Sequence, residues 1–266
     1  MKEMTLQDIK DVSLDILLDV HNFCVAHNIQ YTLFGGSMIG AIRHKGIIPW
    51  NDDIDIAMPR PDYERFVAEY QSEQGYKLYS PIKGNCYLGF SRVCEMKKTY
   101  VDCMQLQWTK ENTGCWIDVF PLDAAPDAGE KIKETIDECT KWWSRVYTYR
   151  NTLSWKPFIK QILKKIVYGI PFKLRGGVKA YDAVCKKLAW GSTEHICNFS
   201  YMAYGIREYE LYEDFDEFVQ VEFSGHNFYC AKGYDRIMRR KYGDYMQLPP
   251  VEEQQKRQHD FKYYWK

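Results

Sequence analysis

Several features that mark other protein classes are missing from this 266-residue sequence. Its 36 Lys and Arg residues balance 36 Asp and Glu residues, so it lacks the basic excess that a nucleic-acid polymerase usually shows. There is no apolar run of about 18 residues, so we expect no transmembrane helix. The first residues also lack the apolar run of a signal peptide. These absences predict a cytoplasmic protein that acts on a small molecule rather than on nucleic acid.

Cysteine pairing motifs are absent as well. The nine cysteines are an odd number, and no two of them are spaced as C-x-x-C. This favours reduced thiols and gives no spacing typical of a zinc site. Hydrophobic residues make up 45% and charged residues 27%, as in a globular protein. The length suits one large domain or a core with an appended lobe.

Two acids alternate with isoleucines in the stretch Asp53-Ile54-Asp55-Ile56. Side chains of a strand alternate between its faces, so a strand here would place Asp53 and Asp55 on the same side. Two neighbouring carboxylates repel each other unless a cation lies between them. Because oxygen ligands suit a hard ion, the pattern predicts a site for Mg²⁺, with Mn²⁺ as the alternative ion.

A glycine turn precedes these acids. Residues 31–34 read as a short strand, and Gly35, Gly36 and Ser37 follow directly. Glycines allow unusual backbone angles and the close approach of a ligand, and a helix starting at Ser37 would offer free amides to an anion. A phosphate-binding turn followed by a metal-binding acid pair is typical of metal-assisted phosphoryl transfer.

Three blocks of the sequence resemble a known family. The turn and acid strand alone resemble the active-site opening of the nucleotidyltransferase superfamily, which has the DNA polymerase beta-like fold. The longer string GGSMIGAIRHKGIIPWNDDIDIAMPRPDYERF, from residue 35 to 66, resembles the LicD family of phosphocholine transferases, whose relatives include fukutin-related protein. The likeness continues in WIDVFPLD at 116–123 and in YGDYM at 242–246, with LPP at 248–250. Asn51 stands where many relatives carry an acid, so it is left out of the metal set.

The resemblance implies an α/β (α+β) fold, with a nucleotidyltransferase-like mixed β-sheet core flanked by helices and an additional, mainly helical C-terminal lobe. We place the catalytic core at residues 1–125 and the lobe, packed on the core and holding the acceptor, at 126–266. Within the core, apolar residues recur at helical spacing over 5–28, and Thr5 with Asp8 resembles a capping pair.

Two charged residues interrupt apolar strands. Asp118 lies between Ile117 and Val119 in a strand predicted over 116–120, and it is either a paired structural acid or a third site carboxylate. Asp123, beyond Pro121, is predicted to lie in the following loop. Arg92 lies in a strand predicted over 87–94. A buried arginine needs an anion, which here is either an internal carboxylate or a donor phosphate.

The family resemblance implies a set of site residues. The catalytic and metal-binding residues would be Asp53, Asp55 and Asp118, with Asp118 also accepting the proton of the acceptor hydroxyl. The donor and its phosphates would contact Gly35, Gly36, Ser37, Arg43, Lys45, Trp50 and Arg92. Packing in the core is an equal alternative for Trp50. His259 is either a phosphate- or acceptor-binding residue or a surface histidine.

The predicted function is metal-dependent transfer of a phospho-alcohol group, with CDP-choline as the family's prototype donor. The donor would be CDP- or CMP-linked, and the acceptor would be a hydroxyl of a cell-surface glycan, such as lipopolysaccharide or teichoic acid, or of a lipid-linked glycan precursor. The motifs leave open choline, ethanolamine, ribitol, glycerol and aminoethylphosphonate. Two alternatives are a nucleotidyltransferase that passes NMP from an NTP to a small acceptor, and a non-catalytic nucleotide- or glycan-binding module.

Residues 155–187 carry nine basic residues and a single acid, Asp182. On a helical wheel, one apolar face is formed by Phe158, Ile159, Ile162, Leu163, Ile166 and Val167. One interpretation is a helix packed on the core with its lysines in solvent. The other is peripheral contact with the inner face of a membrane, because anionic lipid attracts such helices.

Overall fold

A mixed seven-stranded sheet lies at the centre of the computed structural model, which describes residues 1–103, 108–127, 129–152, 158–255 and 261–266. In spatial order its main strands are β2 (Thr32–Leu33), β3 (Asp55–Pro59), β7 (Trp116–Ala125), β5 (Ser91–Cys94) and β4 (Lys77–Tyr79). The far half of β7 also pairs with β8 (His195–Cys197), which pairs with β9 (Tyr209–Leu211). Strands β3 and β7 are parallel, whereas β5 runs antiparallel to β7.

Two smaller sheets flank the central one. The first has the order β1 (Lys2–Glu3), β12 (Lys262–Trp265) and β6 (Thr99–Asp102). The second is a hairpin of β10 (Phe218–Phe223) and β11 (His226–Ala231), joined by Ser224 and Gly225, both at positive φ. Positive φ at both central residues is what a tight two-residue hairpin turn requires.

The first helix of the chain is α1 (Leu6–Ala26), which confirms the helix predicted over 5–28. Its predicted cap is also confirmed. The amide of Asp8 donates to Thr5 Oγ1 over 3.1 Å, and the amide of Thr5 donates to Asp8 Oδ2 over 2.8 Å. The helix buries Ile16 and Leu17 completely, so it covers one side of the core.

The remaining described helices are α2 (Gly35–Ile39), α3 (Arg60–Glu69), α4 (Glu130–Thr152), α5 (Phe158–Lys164), α6 (Ile170–Leu174), α7 (Gly177–Cys185), α8 (Tyr234–Tyr242) and α9 (Val251–Gln255). A π-helical turn, Gly40–His44, extends α2, and a second one, Lys165–Gly169, joins α5 to α6. Short 3₁₀ turns span Met202–Glu208 and Tyr212–Asp214. This mixture of helices around a mixed sheet confirms the predicted fold class.

The core has two parts. The larger cluster surrounds the central sheet and includes residues of both the N-terminal strands and the β10–β11 hairpin. The smaller cluster lies between α4, α7 and the end of β7, where Cys139, Phe172 and Tyr181 are buried. The boundary predicted between residues 125 and 126 stays a prediction.

Strand β7 is longer than predicted. It continues through Pro121 to Ala125, so the prediction that Asp123 lies in a loop was wrong. Proline removes one backbone donor but has a φ compatible with extended structure, so it did not end this strand. Asp123 is buried and receives two hydrogen bonds from Arg60, over 2.6 and 2.7 Å, while Arg60 also donates to Asp182 over 2.8 Å. This triad joins α3, β7 and α7.

Two predictions about exposure have clear outcomes. None of the described helices is long and apolar enough to cross a bilayer. Of the two interpretations of the apolar face at 158–167, packing on the core is wrong for Ile162, Leu163, Ile166 and Val167, which are all exposed. This segment buries Gly169 and Phe172 instead. All nine cysteines are free and buried.

Candidate active site

Three predicted site residues form one row across the central sheet. Asp55 on β3 is paired in register with Asp118 on the parallel strand β7. Asp118 is in turn paired with Arg92 on β5. Side chains at paired positions point to the same face, and neighbouring strands lie about 4.8 Å apart. The fold therefore brings Asp55, Asp118 and Arg92 together, and we call them the charged row.

Asp53 lies just before the row. The prediction that Asp53 is in the strand was wrong, because β3 begins at Asp55. Its Oδ1 accepts a hydrogen bond from the side-chain amide of Asn51, which fits an amide at this position better than an acid. A Cβ on Gly36 would lie 3.2 Å from that same amide nitrogen, so the glycine turn and the acid segment touch here.

The environment of Asp55 disfavours its charge. Burial is the main cause that raises its pKa well above the ordinary value, and the charges of Asp53 and Asp118 raise it further. Lys241 and Arg92 act in the opposite direction. A buried acid whose pKa is raised by neighbouring carboxylates is typical of a functional site.

Arg92 is held by a carboxylate. Its Nε donates to Asp118 Oδ1 over 2.6 Å and its Nη2 donates to Oδ2 over 3.2 Å. The guanidinium carbon also lies 4.2 Å from the ring centre of Trp116 and 4.7 Å from that of Trp108. Of the two anions predicted for Arg92, an internal carboxylate or a donor phosphate, the structure shows the carboxylate, which is that of Asp118. Contact between Arg92 and a donor phosphate stays a prediction.

The glycine turn is tied to Asp55 by its backbone. Helix α2 starts at Gly35, so the prediction that it starts at Ser37 was wrong, and the Ser37 amide donates to the Phe34 carbonyl over 3.0 Å. Ser37 Oγ accepts the amide of Asp55 over 2.8 Å. Gly35 has a φ of +54°, and a Cβ there would lie 3.3 Å from Asp55 Oδ2. Only glycine therefore suits this position.

Arg43 and Lys45 have backbone roles in the structure. Arg43 Nη1 donates to the carbonyls of Tyr245 and Gln247 over 2.5 and 3.2 Å, which ties the π-helical turn to the YGDYM block. Lys45 is exposed, has a φ of 57° and accepts the amide of Ser224 with its carbonyl. Phosphate binding by either side chain stays a prediction.

Trp50 is half-buried and meets the ring of His44 edge to face at 5.8 Å. It packs against the larger core cluster, so packing accounts for at least part of its role. His259 lies outside the described residues.

A small cavity of about 20 Å³, large enough for a water molecule, opens beside the charged row. It is lined by Ser13, Asp52, Asp53, Arg92, Trp116, Asp118, Phe261 and Tyr263. Ser13 Oγ is buried and has no hydrogen-bond partner among the described residues. A buried hydroxyl without a protein partner is a position where a bound water or a polar ligand atom is expected. Asp52 was not predicted as a site residue, although its position next to Asp53 in the sequence could have indicated it.

Arg150, in the last turn of α4, is a second cation that sequence reasoning missed. Its Nε is buried without a hydrogen-bond partner among the described residues, and its guanidinium carbon lies 5.2 Å from the ring centre of Tyr147. Burial first, and then repulsion from Arg92, lower its pKa, while the charge of Asp118 acts in the opposite direction. Two like charges held close together would be stabilised by an anion between them.

Lys241 was also missed. Its Nζ lies 2.6 Å from Glu208 Oε2, and both side chains are at most 4% exposed. The ammonium lies 4.7 Å from the ring centre of Phe34, which precedes the glycine turn. Lys241 directly precedes the YGDYM block, and this proximity could have indicated a place near the site. The charge of Lys241 lowers the pKa of Asp55, so this lysine lies close enough to affect the acid site.

The acids suit a hard metal ion by their chemistry. Among the described residues, no three His, Cys, Asp or Glu side chains already converge as metal ligands. This agrees with the contacts above, since Asp118 faces Arg92 and Asp53 faces Asn51. The oxygens of Asp53, Asp55 and Asp118 are nonetheless the donors that Mg²⁺ prefers, and their mutual repulsion favours a cation.

Comparisons with known proteins show a similarity that extends over nearly the whole chain. The family profile described as "LicD/FKTN/FKRP, nucleotidyltransferase domain" matches residues 28–162. The chain is 33% identical over 276 residues, and 96% of each chain, to the lipopolysaccharide cholinephosphotransferase LicD of Haemophilus influenzae. Uncharacterised proteins of Rickettsia typhi and Rickettsia prowazekii are 30% identical over 82 residues and 36% identical over 63 residues. They cover 29% and 23% of this chain, and 26% and 24% of their own lengths.

Proposed function

This chain belongs to the LicD/FKTN/FKRP family of nucleotidyltransferase-domain proteins and is a LicD-type phosphotransferase, and from that premise we propose that it transfers phosphocholine from CDP-choline to a hydroxyl of a lipopolysaccharide glycan. The observation that carries this proposal is the similarity to the Haemophilus enzyme over 96% of both chains. The charged row supports it, because the row places the cation Arg92 beside two acids, a combination that suits Mg²⁺ and a diphosphate donor.

Asp53, Asp55 and Asp118 would hold Mg²⁺, which supplies neutralisation of the diphosphate charge when bound. Arg150 binds a phosphate oxygen of the donor, because its Nε has no partner among the described residues. The glycine turn lies against the acids, because a Cβ on Gly35 would stand 3.3 Å from Asp55 Oδ2, and its backbone would contact the donor phosphates there.

In the transfer step, the hydroxyl oxygen of the acceptor forms a bond to the phosphorus that carries choline. The bond from this phosphorus to the CMP oxygen breaks, and CMP leaves. The hydroxyl proton passes to Asp118, whose oxygens become free once Arg92 turns towards the donor phosphate. Fixed charges and positioning supply most of the rate in such reactions.

The test is incubation of the protein and Mg²⁺ with a panel of CDP-linked alcohols and lipopolysaccharide. We expect release of CMP, fastest with CDP-choline, and choline incorporation into the glycan. A preference for CDP-ethanolamine, CDP-ribitol or CDP-glycerol would change the alcohol and keep the mechanism.

Two outcomes would overturn the proposal. Release of pyrophosphate from an NTP, without CMP release from any CDP-alcohol, would identify a nucleotidyltransferase. Calorimetric binding of CDP-choline without turnover on any glycan would identify a binding module. Separately, Mg²⁺ should raise the melting temperature of the wild-type protein and not of Asp55→Asn, because a ligand of the native state stabilises it.

A further inference from the structure

A strip of apolar side chains is exposed along residues 158–175. Within the continuous α5, π-helical turn and α6, the strip is formed by Leu163, Val167, Ile170 and Leu174. They lie on the outer side of the segment, since Gly169 and Phe172 of the same segment are buried. They are 57%, 56%, 51% and 82% exposed. A contiguous exposed apolar surface of this kind marks an interaction site.

Packing on the opposite side holds the strip outward. The ring of the buried Phe172 lies 4.9 Å from that of Tyr149 and 6.3 Å from that of Trp142, both on α4. Gly169 is buried beside the same tyrosine, 3.6 Å from where its Cβ would stand. Turning the strip inward would break these contacts, so its exposure follows from the packing of the segment.

The charge around the strip has one sign. There is no acid between residues 158 and 175, whereas the whole chain is neutral. The basic side chains are all exposed, and none of them forms an ion pair within the described ranges: Lys160, Lys164, Lys165, Lys173 and Arg175. A surface that complements this segment must be apolar in its interior and negatively charged at its boundary.

We propose that residues 158–175 dock the protein on an anionic lipid bilayer. The apolar strip enters the boundary between headgroups and acyl chains, and the five basic residues contact lipid phosphates. This interaction goes beyond the proposed group transfer and does not depend on the identity of the donor. The docking segment lies near the charged row. Gly169 of the segment contacts Tyr149 on α4, and the next residue, Arg150, interacts electrostatically with Arg92 and Asp118 of the row. The bilayer would therefore lie beside the active site.

The test is flotation of the full chain with vesicles. We expect the wild type to float with phosphatidylglycerol–phosphatidylcholine vesicles at low salt, and to float poorly with phosphatidylcholine alone or at high salt. Each of Lys164→Gln and Lys165→Gln should lower the partition coefficient about five-fold. The triple variant Leu163→Ser, Val167→Ser, Leu174→Ser should abolish flotation. Val25→Ser with Val251→Ser is the matched control, because both valines are exposed outside the strip at 52% and 63%.

Three results would overturn the proposal. They are absence of wild-type flotation with the anionic vesicles, equal flotation of the triple variant, and a wild-type dimer that the triple variant converts to a monomer in light scattering. Circular dichroism confirms that each variant is folded. CMP release with a water-soluble acceptor glycan should match the wild type in the triple variant, so a failure of docking is distinguished from a failure of the proposed transferase activity.

Discussion

Two acids of the same row should respond differently to the same isosteric change. Asp55→Asn should abolish turnover and make the protein more stable at pH 7. The folded state raises the pKa of Asp55, so its unfavourable effect is absent below about pH 3.8 and grows as pH rises towards the folded pKa. Each unit of that shift corresponds to about 1.4 kcal/mol. Urea unfolding at pH 4 and pH 7 should show that the gain in stability is larger at pH 7.

Asp118→Asn should also abolish turnover but make the protein less stable. It leaves the guanidinium of Arg92, only 9% exposed, without a counter-charge. Loss of one partner of a buried ion pair typically destabilises by roughly 3–5 kcal/mol, and the remaining amide oxygen should reduce this to about 2 kcal/mol. Equal unfolding free energies for Asp55→Asn and Asp118→Asn would contradict this view of the row.

Arg150→Met should weaken binding of CDP while leaving binding of cytidine unchanged. A hydrogen bond between charged groups is worth about 1.5–3 kcal/mol, so the dissociation constant of CDP should rise about ten-fold to a hundred-fold. Isothermal titration in the presence of Mg²⁺ measures both ligands. Arg145→Met is the matched control, since Arg145 lies on the same helix and also stacks on a ring, that of Trp142. Similar losses in both variants would remove Arg150 from the donor site.

At the scale of elements, α8 brings a charge from the C-terminal part of the chain to the glycine turn. Because Lys241 lowers the pKa of Asp55, Lys241→Met should raise that pKa further. The acidic limb of the pH profile of kcat/KM should then move to higher pH, since turnover needs the charged carboxylate. Glu208→Gln is the control, because it keeps the ammonium and removes only its partner. An unmoved limb in Lys241→Met would show that the lysine is only structural.

The triad of Arg60, Asp123 and Asp182 is expected to join elements without taking part in catalysis. Arg60→Met leaves two carboxylates, each at most 7% exposed, without their arginine. The free energy of unfolding should fall by roughly 3–5 kcal/mol. At 15 °C, where the variant remains folded, kcat should stay within about two-fold of the wild type. A large loss of kcat in a folded variant would instead place the triad in the catalytic machinery.

The sequence predicted the elements whose signals are local. Helix α1 was predicted from its periodicity and its Thr5–Asp8 cap, and Asp118 from its isolation between apolar neighbours. The partners of Arg43 were not predictable, because the carbonyls that it contacts lie 202 and 204 residues further along the chain. Arg150 was missed for a similar reason, since a lone arginine at a helix end gives no pattern. These contacts depend on how distant parts of the chain pack together, and the local sequence around each arginine does not encode that packing.

At the scale of the whole molecule, the N- and C-terminal parts of the chain share structure. Strand β12 lies between β1 and β6, and the hairpin packs against the core that holds the acid strand. Tyr245 and Gln247 contact the π-helical turn through their carbonyls, which accept hydrogen bonds from Arg43. The part of the chain after residue 125 therefore helps to build the acid site as well as the exposed strip. Removing it should abolish donor binding as well as any membrane contact.

Strand β7 carries Asp118 and Asp123 five positions apart, an odd number, so the two acids project from opposite sides of the same ribbon. One side faces the cavity at the charged row, and the other joins α3 and α7 through Arg60. Inserting a single residue between them would invert one acid relative to the other, whereas inserting two would preserve their sidedness. The number of residues between the two acids must therefore stay even, so that the acids remain on opposite faces of the strand. This number constrains insertions and deletions in the segment more than the identity of the intervening residues does.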